Sequence, residues 1–465
     1  MKVAIVGAGI SGLSSAHYLR KLYRDGNVPL ELVLFESSAR PGGVLDTVKT
    51  GDMVLELGPD SFITSKPWAL DLARELGLED SLLGVGYGKG KTTFVYQAGR
   101  LWELPEGFFL MAPSKLLPFL RSGLFSAGAK LRVLLELLIP RGGGGDESVR
   151  SFVERRFGRE IFDKAAQPLL GGIYMADPEK LSLSATMPQF LEMEKRSGSV
   201  LRDLLRNPPT SRGESGARYG LFLTPAEGMS VIVERLCGSA EFARQDYKTP
   251  VLSLKKSEKG WLVGSERGEE EFDAVILSVG AGTAGRLLSD IDSQLGTRLS
   301  GVRYVSSVVA TLVFDETDFR GLPDGLGVII PSKEEMNLVA CSLYSSKFPG
   351  KSGSGKVVIR CFLGGELNPD AMLWDEEEIK SVLREELARV FGFDNNPAEV
   401  YIRRYPMSMP RFALGHKEEV SGVMHRLSRH SGLALCGAAY FGVGIPDCVY
   451  SAELAARKIH VDMVR

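Results

Sequence analysis

Apolar and polar positions fall into blocks along the chain, and the first blocks predict a βαβ unit. Residues 3–6 are an unbroken apolar run, which is typical of a buried parallel strand. Residues 13–24 predict a helix and residues 30–35 a second strand. A strand, a crossover helix and a second strand in this order form the βαβ motif.

Helical and strand patterns interleave over the rest of the chain. Helices are predicted for residues 66–78, most of 147–207, about 230–237, 375–392 and 448–464. Strands are predicted for a hairpin at 94–104, for stretches within 250–280, and for 302–315, 356–364 and a short run after 431. Residues 210–220 predict a polar, mobile surface loop. This interleaving predicts an α/β fold that is α+β in part, with discontinuous domains.

Composition excludes several classes of protein. The 465 residues are 44% hydrophobic and 25% charged with a net charge of -2, which argues against disorder and against a dedicated nucleic-acid binder. Five cysteines without a C-x-x-C pair indicate reduced thiols, and five histidines leave little room for a metal site, so we expect none. The 53 glycines suit a backbone that approaches a ligand in several places.

Two apolar stretches bear on localisation. The uncharged run 3–19 resembles a signal peptide, but glycines at fixed spacing favour a strand and a turn. Residues 107–139 are strongly apolar yet contain Lys115, Arg121, Lys130 and Arg132. That mixture fits a helix on a membrane surface or an amphipathic helix packed inside the protein. We expect a soluble, cytoplasmic protein, with peripheral contact at the inner face of the membrane left open.

A G-x-G-x-x-G turn follows the first predicted strand and opens the first helix, which is the context that gives this motif weight. Gly7 allows the tight turn, Gly9 lets the backbone approach a pyrophosphate, and Gly12 lets the helix pack against the strand. Glu36 ends the second strand, where an acid accepts hydrogen bonds from ribose hydroxyls. The turn and the acid predict a dinucleotide site.

Segments beyond Glu36 favour FAD over NAD, because G-x-G-x-x-G followed by Glu and x-x-R-x-G-G resembles the FAD-binding fingerprint of the amine oxidase superfamily. Arg40 and the glycine pair 42–43 follow directly, where they would meet the pyrophosphate of an extended cofactor, and a second tight turn lies at 58–61. Near the C-terminus a strand, a glycine-rich turn at 442–447 and a helix follow one another. A helix N-terminus beside a flavin would stabilise the negative charge of its reduced form.

The chain resembles the FAD-dependent porphyrinogen oxidases of haem biosynthesis, within the amine oxidase superfamily, over nearly its whole length. The segment GGIYMADPEKLSLSATMP at 171–188 is the most diagnostic. The other segments that carry the resemblance are GAGISGL at 7–13, FESSARPGG at 35–43, LGPDSF at 57–62, MPRFALGH at 409–416 and GVGIPDC at 442–448. The family includes protoporphyrinogen IX oxidases and bacterial coproporphyrinogen III oxidases. The sequences of residues 58–62 and 442–448 are closer to the latter.

The resemblance implies a Rossmann-like FAD-binding domain at 1–90, 226–300 and 405–465, a helical subdomain at 91–225 and a substrate-binding sheet domain at 301–404. It implies non-covalent FAD contacts at Gly7, Ala8, Gly9, Ile10, Ser11, Gly12, Glu36, Ser37, Arg40, Gly43, Val44, Gly58, Pro59, Asp60, Ser61, Val251, Tyr405, Val443, Gly444 and Ile445. It places the porphyrinogen beside Gly172, with Leu326 and Ile329 as apolar walls. Thr93 stands where some relatives carry a propionate-binding Arg, so Lys91 or Arg100 would replace it.

The implied reaction removes six electrons from a porphyrinogen in three hydride transfers to flavin N5, and O2 reoxidises the flavin to give peroxide. We expect coproporphyrinogen III as the substrate, with protoporphyrinogen IX as the alternative. No side chain is assigned as catalytic. His416 is interpreted as holding a loop rather than acting as a base, and Asp177 as a turn or cap residue. Contact with a membrane or another haem-pathway enzyme, and the oligomeric state, stay open.

Three other functions share parts of this pattern. A flavin amine oxidase would present an aromatic pair to the flavin, and Tyr440 and Phe441 precede the last glycine turn. A carotenoid desaturase lacks the segment at 171–188. A non-enzymatic binding protein on the same fold should have lost flavin-binding residues, whereas Glu36 and Arg40 are present.

Overall fold

The computed structural model describes residues 1–24, 29–85, 92–208, 221–319 and 322–464. The predicted loop at 210–220 and Lys91 lie outside the described residues.

A five-stranded parallel sheet forms the first layer. Alternate residues of the first strand enter opposite cores, Val3 and Ile5 on one side and Ala4 and Val6 on the other. Both faces are therefore covered, which explains the unbroken apolar run. The strands are, in spatial order, Arg244–Asp246, Glu31–Phe35, Lys2–Val6, Ala274–Leu277 and Leu433–Leu435.

Helices and a small antiparallel sheet cover this parallel sheet. One face carries the helices Ile10–Tyr23, Trp68–Glu75, Ser230–Ser239 and Ile445–Val464. The other carries the helices Ala281–Leu288, Ser293–Ser300 and His416–Leu427 and the strands Val251–Lys256, Trp261–Ser265 and Gly268–Phe272. The C-terminal helix begins three residues earlier than predicted, and the helix predicted at 66–78 is shorter because Pro67 precedes it and Gly77 follows it.

A seven-stranded sheet, called the large sheet below, forms the second layer. Its strands in spatial order are Glu399–Pro410, Tyr304–Asp315, Lys356–Gly364, Leu338–Leu343, Gly327–Ile329, Thr93–Gln97 and Arg100–Glu103. The helix Glu376–Phe391 covers one face. The first of these strands passes through the predicted domain boundary at 405, and the predicted hairpin at 94–104 pairs into the sheet.

A helical layer covers the other face of the large sheet. It contains Leu116–Arg121, Ala127–Leu134, Val149–Arg156, Arg159–Ile161, Gln167–Tyr174, Leu183–Thr186, Pro188–Ser197 and Val200–Arg206, with a 3-10 turn at Leu135–Leu138 and a π turn at Phe162–Ala166. The helices predicted within 107–139 begin only at Leu116. Gly107 and Pro113 disfavour helix, and the short strands Phe108–Phe109 and Ala112–Pro113 lie there instead.

Smaller elements join the layers. They are the hairpin Thr47–Thr50 and Met53–Glu56, the strands Phe62–Ile63, Leu82–Gly84 and Phe222–Pro225, the short helix Tyr344–Lys347, and the 3-10 turns Glu79–Ser81, Glu316–Asp318, Ser332–Glu334 and Pro369–Met372. Within the described parts of the chain, every helix is too short or too polar to cross a bilayer.

Candidate active site

The glycine-rich turn at 7–12 is fixed by backbone contacts. A Cβ at Gly12 would lie 1.9 Å from the Gly7 carbonyl oxygen, and a Cβ at Gly7 would lie 2.4 Å from that of Ser278. A Cβ at Gly9 would meet no described heavy atom within 4 Å. Gly7 and Gly12 are therefore required by the fold, whereas Gly9 borders open space. The helix starts at Ile10, so Ile10 and Ser11 lie in the first turn, where free N–H groups favour phosphate.

Glu36 is tied to that turn. Its carboxylate accepts hydrogen bonds from the backbone N–H of Ala8 and of Ser38, each at 2.7 Å, and from the Ser37 hydroxyl at 3.3 Å. Carboxylate oxygens have about four acceptor positions, so one stays available for a ribose hydroxyl. Val251 opens a strand two residues after Thr249, whose N–H donates to the Glu36 carbonyl at 2.8 Å, which brings Val251 to the same end.

Arg40 closes the loop that follows. Its guanidinium donates to the carbonyls of Pro41, Gly43 and Leu45 at 3.0–3.1 Å. The loop lies on the glycine turn, since the Gly42 N–H donates to the Ala8 carbonyl at 2.8 Å. Arg40 thus stabilises the loop at 41–45 through hydrogen bonds to its carbonyls. Its contact with a pyrophosphate stays a prediction.

The turn at 58–61 rests on a buried ion cluster. A Cβ at Gly58 would lie 1.8 Å from the Val44 carbonyl oxygen. Asp60, next to Pro59, accepts from Lys347 Nζ at 2.8 Å, from Arg360 at 2.7 Å and from the Ser61 hydroxyl at 2.8 Å. Burial alone would raise the pKa of Asp60, but the two cations hold it far below its usual value.

Two further contacts hold the same segment. Arg360 also donates to the Gly58 carbonyl. The Tyr405 hydroxyl donates to the Leu57 carbonyl at 3.0 Å, and burial raises the pKa of Tyr405 to about 12. The sequence predicted Asp60 and Tyr405 as FAD contacts, and the structure gives both a supporting role behind the turn. Lys347 and Arg360 were missed because no local pattern marks them.

The glycine turn near the C-terminus brings a helix N-terminus to the site. Val443 and Gly444 precede the helix that begins at Ile445. Asp447 in its first turn forms an ion pair with Lys66 at 2.6 Å. This cation neutralises the carboxylate, so the N-terminal N–H groups keep their positive potential.

His416 and Asp177 have the supporting roles that the sequence predicted. The His416 ring bonds the Ala439 carbonyl through Nε2 at 3.0 Å and stacks on Phe412 at 4.2 Å. Burial lowers the pKa of His416, so it is neutral at pH 7. Asp177 accepts from the Glu179 N–H at 3.0 Å, as in a turn.

Gly172 and Ile329 come together on one face of the large sheet. A Cβ at Gly172 would lie 3.6 Å from the Cβ of Ala340, and Ala340 pairs with Ile329 across two strands. Tyr174, two residues on, has its pKa raised by burial and by the negative charge of Asp447.

Three apolar side chains at or next to positions that the sequence singled out are exposed. They are Val44 at 38%, Ile173 at 45% and Phe441 at 39%.

Leu326 lies in a bend directly before the strand Gly327–Ile329. Its N–H donates to the Thr92 carbonyl at 2.8 Å, and its carbonyl accepts from the Leu343 N–H at 3.1 Å. Ile329 faces the helical layer. The roles of Leu326 and Ile329 as apolar walls of a substrate pocket stay predictions.

Arg100 lies on the edge strand of the large sheet and stacks on Trp102 at 4.6 Å. Trp102 pairs with Val95, which pairs with Ile329, so the Trp102 backbone is about 10 Å from that of Ile329 across two strand spacings. Arg100 lies two residues farther along the edge strand, and its contact with a propionate stays a prediction. Lys115, another cation of the apolar stretch at 107–139, forms an ion pair with Glu106.

Tyr440 and Phe441 do not form the aromatic pair that an amine oxidase would present. Tyr440 is buried in the core beside the parallel sheet, whereas Phe441 is exposed and contacts Tyr450 edge-on at 5.8 Å.

The family model for flavin containing amine oxidoreductases matches residues 10–460. The chain belongs to this family. It is 30% identical over 458 residues to the coproporphyrinogen III oxidase of Bacillus subtilis, covering 97% of this chain and 96% of the relative. It is 29% identical over 484 residues to human protoporphyrinogen oxidase, covering 98% and 97%. A crystal structure of an Exiguobacterium protein named as a protoporphyrinogen oxidase superposes with a TM-score of 0.87 at 26% identity, covering 100% and 99%.

These matches confirm the predicted resemblance, the fold class and a flavin-dependent oxidoreductase. A non-enzymatic binding protein is thereby disfavoured. The two porphyrinogen oxidase activities are not separated, since 30% and 29% identity are nearly equal.

Proposed function

We propose that this enzyme uses non-covalent FAD and O2 to oxidise coproporphyrinogen III to coproporphyrin III in haem biosynthesis. One observation carries the proposal: the helix with Gly172, which belongs to the segment most diagnostic of the porphyrinogen oxidases, packs beside Ala340 and Ile329 on the large sheet. Protoporphyrinogen IX is the second candidate substrate.

The described residues fit an extended dinucleotide. The open space at Gly9 suits a pyrophosphate, the acceptor positions of Glu36 suit a ribose, and the helix N-terminus at Ile445 suits the pyrimidine end of a flavin. When bound, FAD would supply the two-electron acceptor of the reaction. Chromatographic analysis of the cofactor released by mild denaturation tests this proposal. FMN, no flavin, or a flavin released only by proteolysis would contradict it.

The chain's own residues orient and shield the reactants. Gly172 lets the porphyrinogen ring approach the backbone of its helix, and Ile329 supplies an apolar wall. His416 is neutral and engaged with a carbonyl, and burial keeps Tyr174 protonated. These groups therefore exclude water and fix position, while the cofactor carries the redox chemistry.

The rim of the site bears on the choice of substrate. Coproporphyrinogen III has four propionates and protoporphyrinogen IX has two, so a cation at the rim favours the former. Arg100, which stacks on Trp102, is the proposed rim cation and has no carboxylate partner among the described residues. We expect a KM for coproporphyrinogen III that rises with salt, since charges are screened within about 8 Å at physiological ionic strength.

The test is kcat/KM for both substrates in the wild type, in Arg100→Ala and in the matched control Arg286→Ala. Arg286 is an exposed arginine that bonds the Leu252 carbonyl. We expect a selective loss for coproporphyrinogen III in Arg100→Ala alone. A tenfold or larger preference for protoporphyrinogen IX, about 1.4 kcal/mol, would establish the second candidate instead.

The helical layer also exposes apolar side chains suited to an anionic membrane surface. Leu117, Leu131 and Leu138 are 58%, 58% and 79% exposed, and Lys130 and Arg121 lie among them. Apolar groups flanked by cations bind the headgroup region of anionic bilayers. Flotation with phosphatidylglycerol vesicles at low salt should carry the wild type but not Leu131→Asp/Leu138→Asp. Leu373→Asp, 83% exposed elsewhere, is the control, and equal flotation of all three proteins would contradict the assignment.

A further inference from the structure

A second cavity lies apart from the residues assigned to cofactor and substrate. Its volume is about 630 Å3, within the range of small-molecule sites. It lies between the helix Ser293–Ser300, the loop at 411–415 and the first turn of the helix His416–Leu427. Its charged lining is Arg298, Arg303, Arg411 and Glu419.

Cations exceed anions in this lining. Arg298 is neutralised by Glu419 at 2.6 Å. The exposed side chain of Arg303 has no ion pair or hydrogen bond with any residue that the structure describes. Arg303 and Arg411 are backbone neighbours, since the Arg411 N–H donates to the Arg303 carbonyl at 2.8 Å. The side chains of Arg303 and Arg411 therefore leave the backbone at adjacent positions, and both line the cavity.

Arg411 has a spare donor. One of its nitrogens pairs with Glu366 at 2.5 Å, but its Nε is buried and has no acceptor among the described residues. Buried donors almost always have a partner. The first turn of the helix His416–Leu427 adds backbone N–H groups that favour an anion. The remaining titratable neighbours are the neutral His416, Glu418 in the same first turn, and Asp146, whose carboxylate accepts from the Gly415 N–H at 2.9 Å.

We propose that this cavity binds a small polyanion, a molecule with two or more carboxylate or phosphate groups. A guanidinium binds both groups in a bidentate manner. One anionic group would bridge Arg303 and the part of the Arg411 guanidinium that borders the cavity. A second would lie toward the helix N-terminus.

The cavity is linked to both ends of the candidate active site. Glu366, the partner of Arg411, accepts from the Asp177 N–H at 3.2 Å and donates its own N–H to the Met175 carbonyl at 2.8 Å, directly after the helix that carries Gly172. His416 holds the Ala439 carbonyl before the C-terminal glycine turn. A bound polyanion competes with Glu366 for Arg411, so it would act as an effector of the enzyme.

Calorimetric titration of the flavin-loaded protein with citrate and with pyrophosphate, at constant ionic strength, tests the proposal. We expect one or both probes to bind at one site, and Arg303→Gln to weaken binding about tenfold or more, as for the loss of a charge-assisted hydrogen bond. Citrate alone binding would assign a carboxylate ligand and pyrophosphate alone a phosphate ligand. Arg286→Gln is the matched control and should bind as the wild type does.

Three results would overturn the proposal. They are no saturable binding of either probe, wild-type binding by Arg303→Gln, and binding that is lost in Arg100→Ala but kept in Arg303→Gln. The last result would place the anion at the substrate rim. Because Arg303 is exposed and unpaired, Arg303→Gln should melt like the wild type without ligand. A loss of binding in Arg303→Gln would then reflect the missing guanidinium and not an unfolded protein.

Discussion

The two turns that frame the candidate flavin site are held in different ways. The turn at 7–12 is closed by backbone packing, with Gly12 against Gly7, and its nearest side-chain support, Glu36, is 28 residues from Ala8. The turn at 58–61 is held by Asp60, whose partners Lys347 and Arg360 lie 287 and 300 residues away. Both turns need a glycine against a backbone carbonyl, Gly12 in the first and Gly58 in the second, and the second is also held by three charged side chains.

This difference decides how each turn fails. A steric clash in the first turn cannot relax without moving a strand and a helix of the parallel sheet. The second turn can lose one cation and keep the other, so its failure is graded. The variants below separate these two modes, in order of decreasing effect.

Gly12→Ala should have the largest effect. The new Cβ would lie 1.9 Å from a backbone carbonyl oxygen, so the helix must move, and we expect a loss of about 4 kcal/mol or more. Gly9→Ala is the matched control, because its Cβ meets no described atom within 4 Å. Thermal melting should show a folded Gly9→Ala protein with weakened flavin binding and little or no folded Gly12→Ala protein. Equal melting temperatures would refute the steric argument.

Arg360→Leu should come next. It removes one of the two cations from buried Asp60 and the donor from the Gly58 carbonyl. Breaking a buried ion pair costs about 3–5 kcal/mol, which urea denaturation would measure. Arg403→Leu is the control, since Arg403 is exposed and its partner Asp46 also contacts Arg40. We expect less than about 1 kcal/mol there. Similar losses in both variants would show that Asp60 does not depend on Arg360.

The same contrast marks what the sequence could predict. Gly7, Gly9, Gly12 and Glu36 lie within one βαβ unit, so their spacing alone indicates their contacts. No sequence pattern indicates that Arg360 will face Asp60, because that contact depends on how two distant sheets pack.

Two other residues show the limits of local patterns. The role of Leu326 as a pocket wall stays a prediction, because it lies in a bend before a three-residue strand, where no periodicity indicates which way a side chain faces. The predicted contact of Arg40 with a pyrophosphate stays a prediction, and its carbonyl partners follow from the path of its loop, which composition does not specify.

Glu36→Ala tests whether the carboxylate beside the turn at 7–12 binds FAD. The change removes the acceptor for a ribose hydroxyl, so FAD should bind more weakly by about 1.5–3 kcal/mol. Fluorescence titration of the apoprotein with FAD measures this, and Glu31→Ala, an exposed residue at the start of the same strand, is the control. Unchanged affinity at limiting FAD would remove Glu36 from the site.

The ion cluster predicts an acid dependence that the glycine turn lacks. The pKa of Asp60 is lower in the folded state than in the unfolded state. Its stabilisation is therefore complete above about pH 4 and is lost as the pH falls through the folded pKa. Urea denaturation at pH 5 and at pH 3 measures the free energy of unfolding. Between these pH values it should fall more for the wild type than for Asp60→Asn, by at most about 1.4 kcal/mol per pH unit. Parallel decreases would mean that Asp60 does not titrate with folding.

Tyr405→Phe should have the smallest effect and completes the comparison. The phenol donates one neutral hydrogen bond to the Leu57 carbonyl at 3.0 Å, beside the ion cluster but not part of it. Losing such a bond costs about 1 kcal/mol. The loss should be independent of pH between 5 and 3, because Tyr405 stays protonated with its pKa near 12. Tyr401→Phe is the control, because its hydroxyl bonds the side chain of Glu399 on the same strand. If Tyr405→Phe instead matched Arg360→Leu in size, the hydroxyl and the cluster would form one cooperative support for the 58–61 turn.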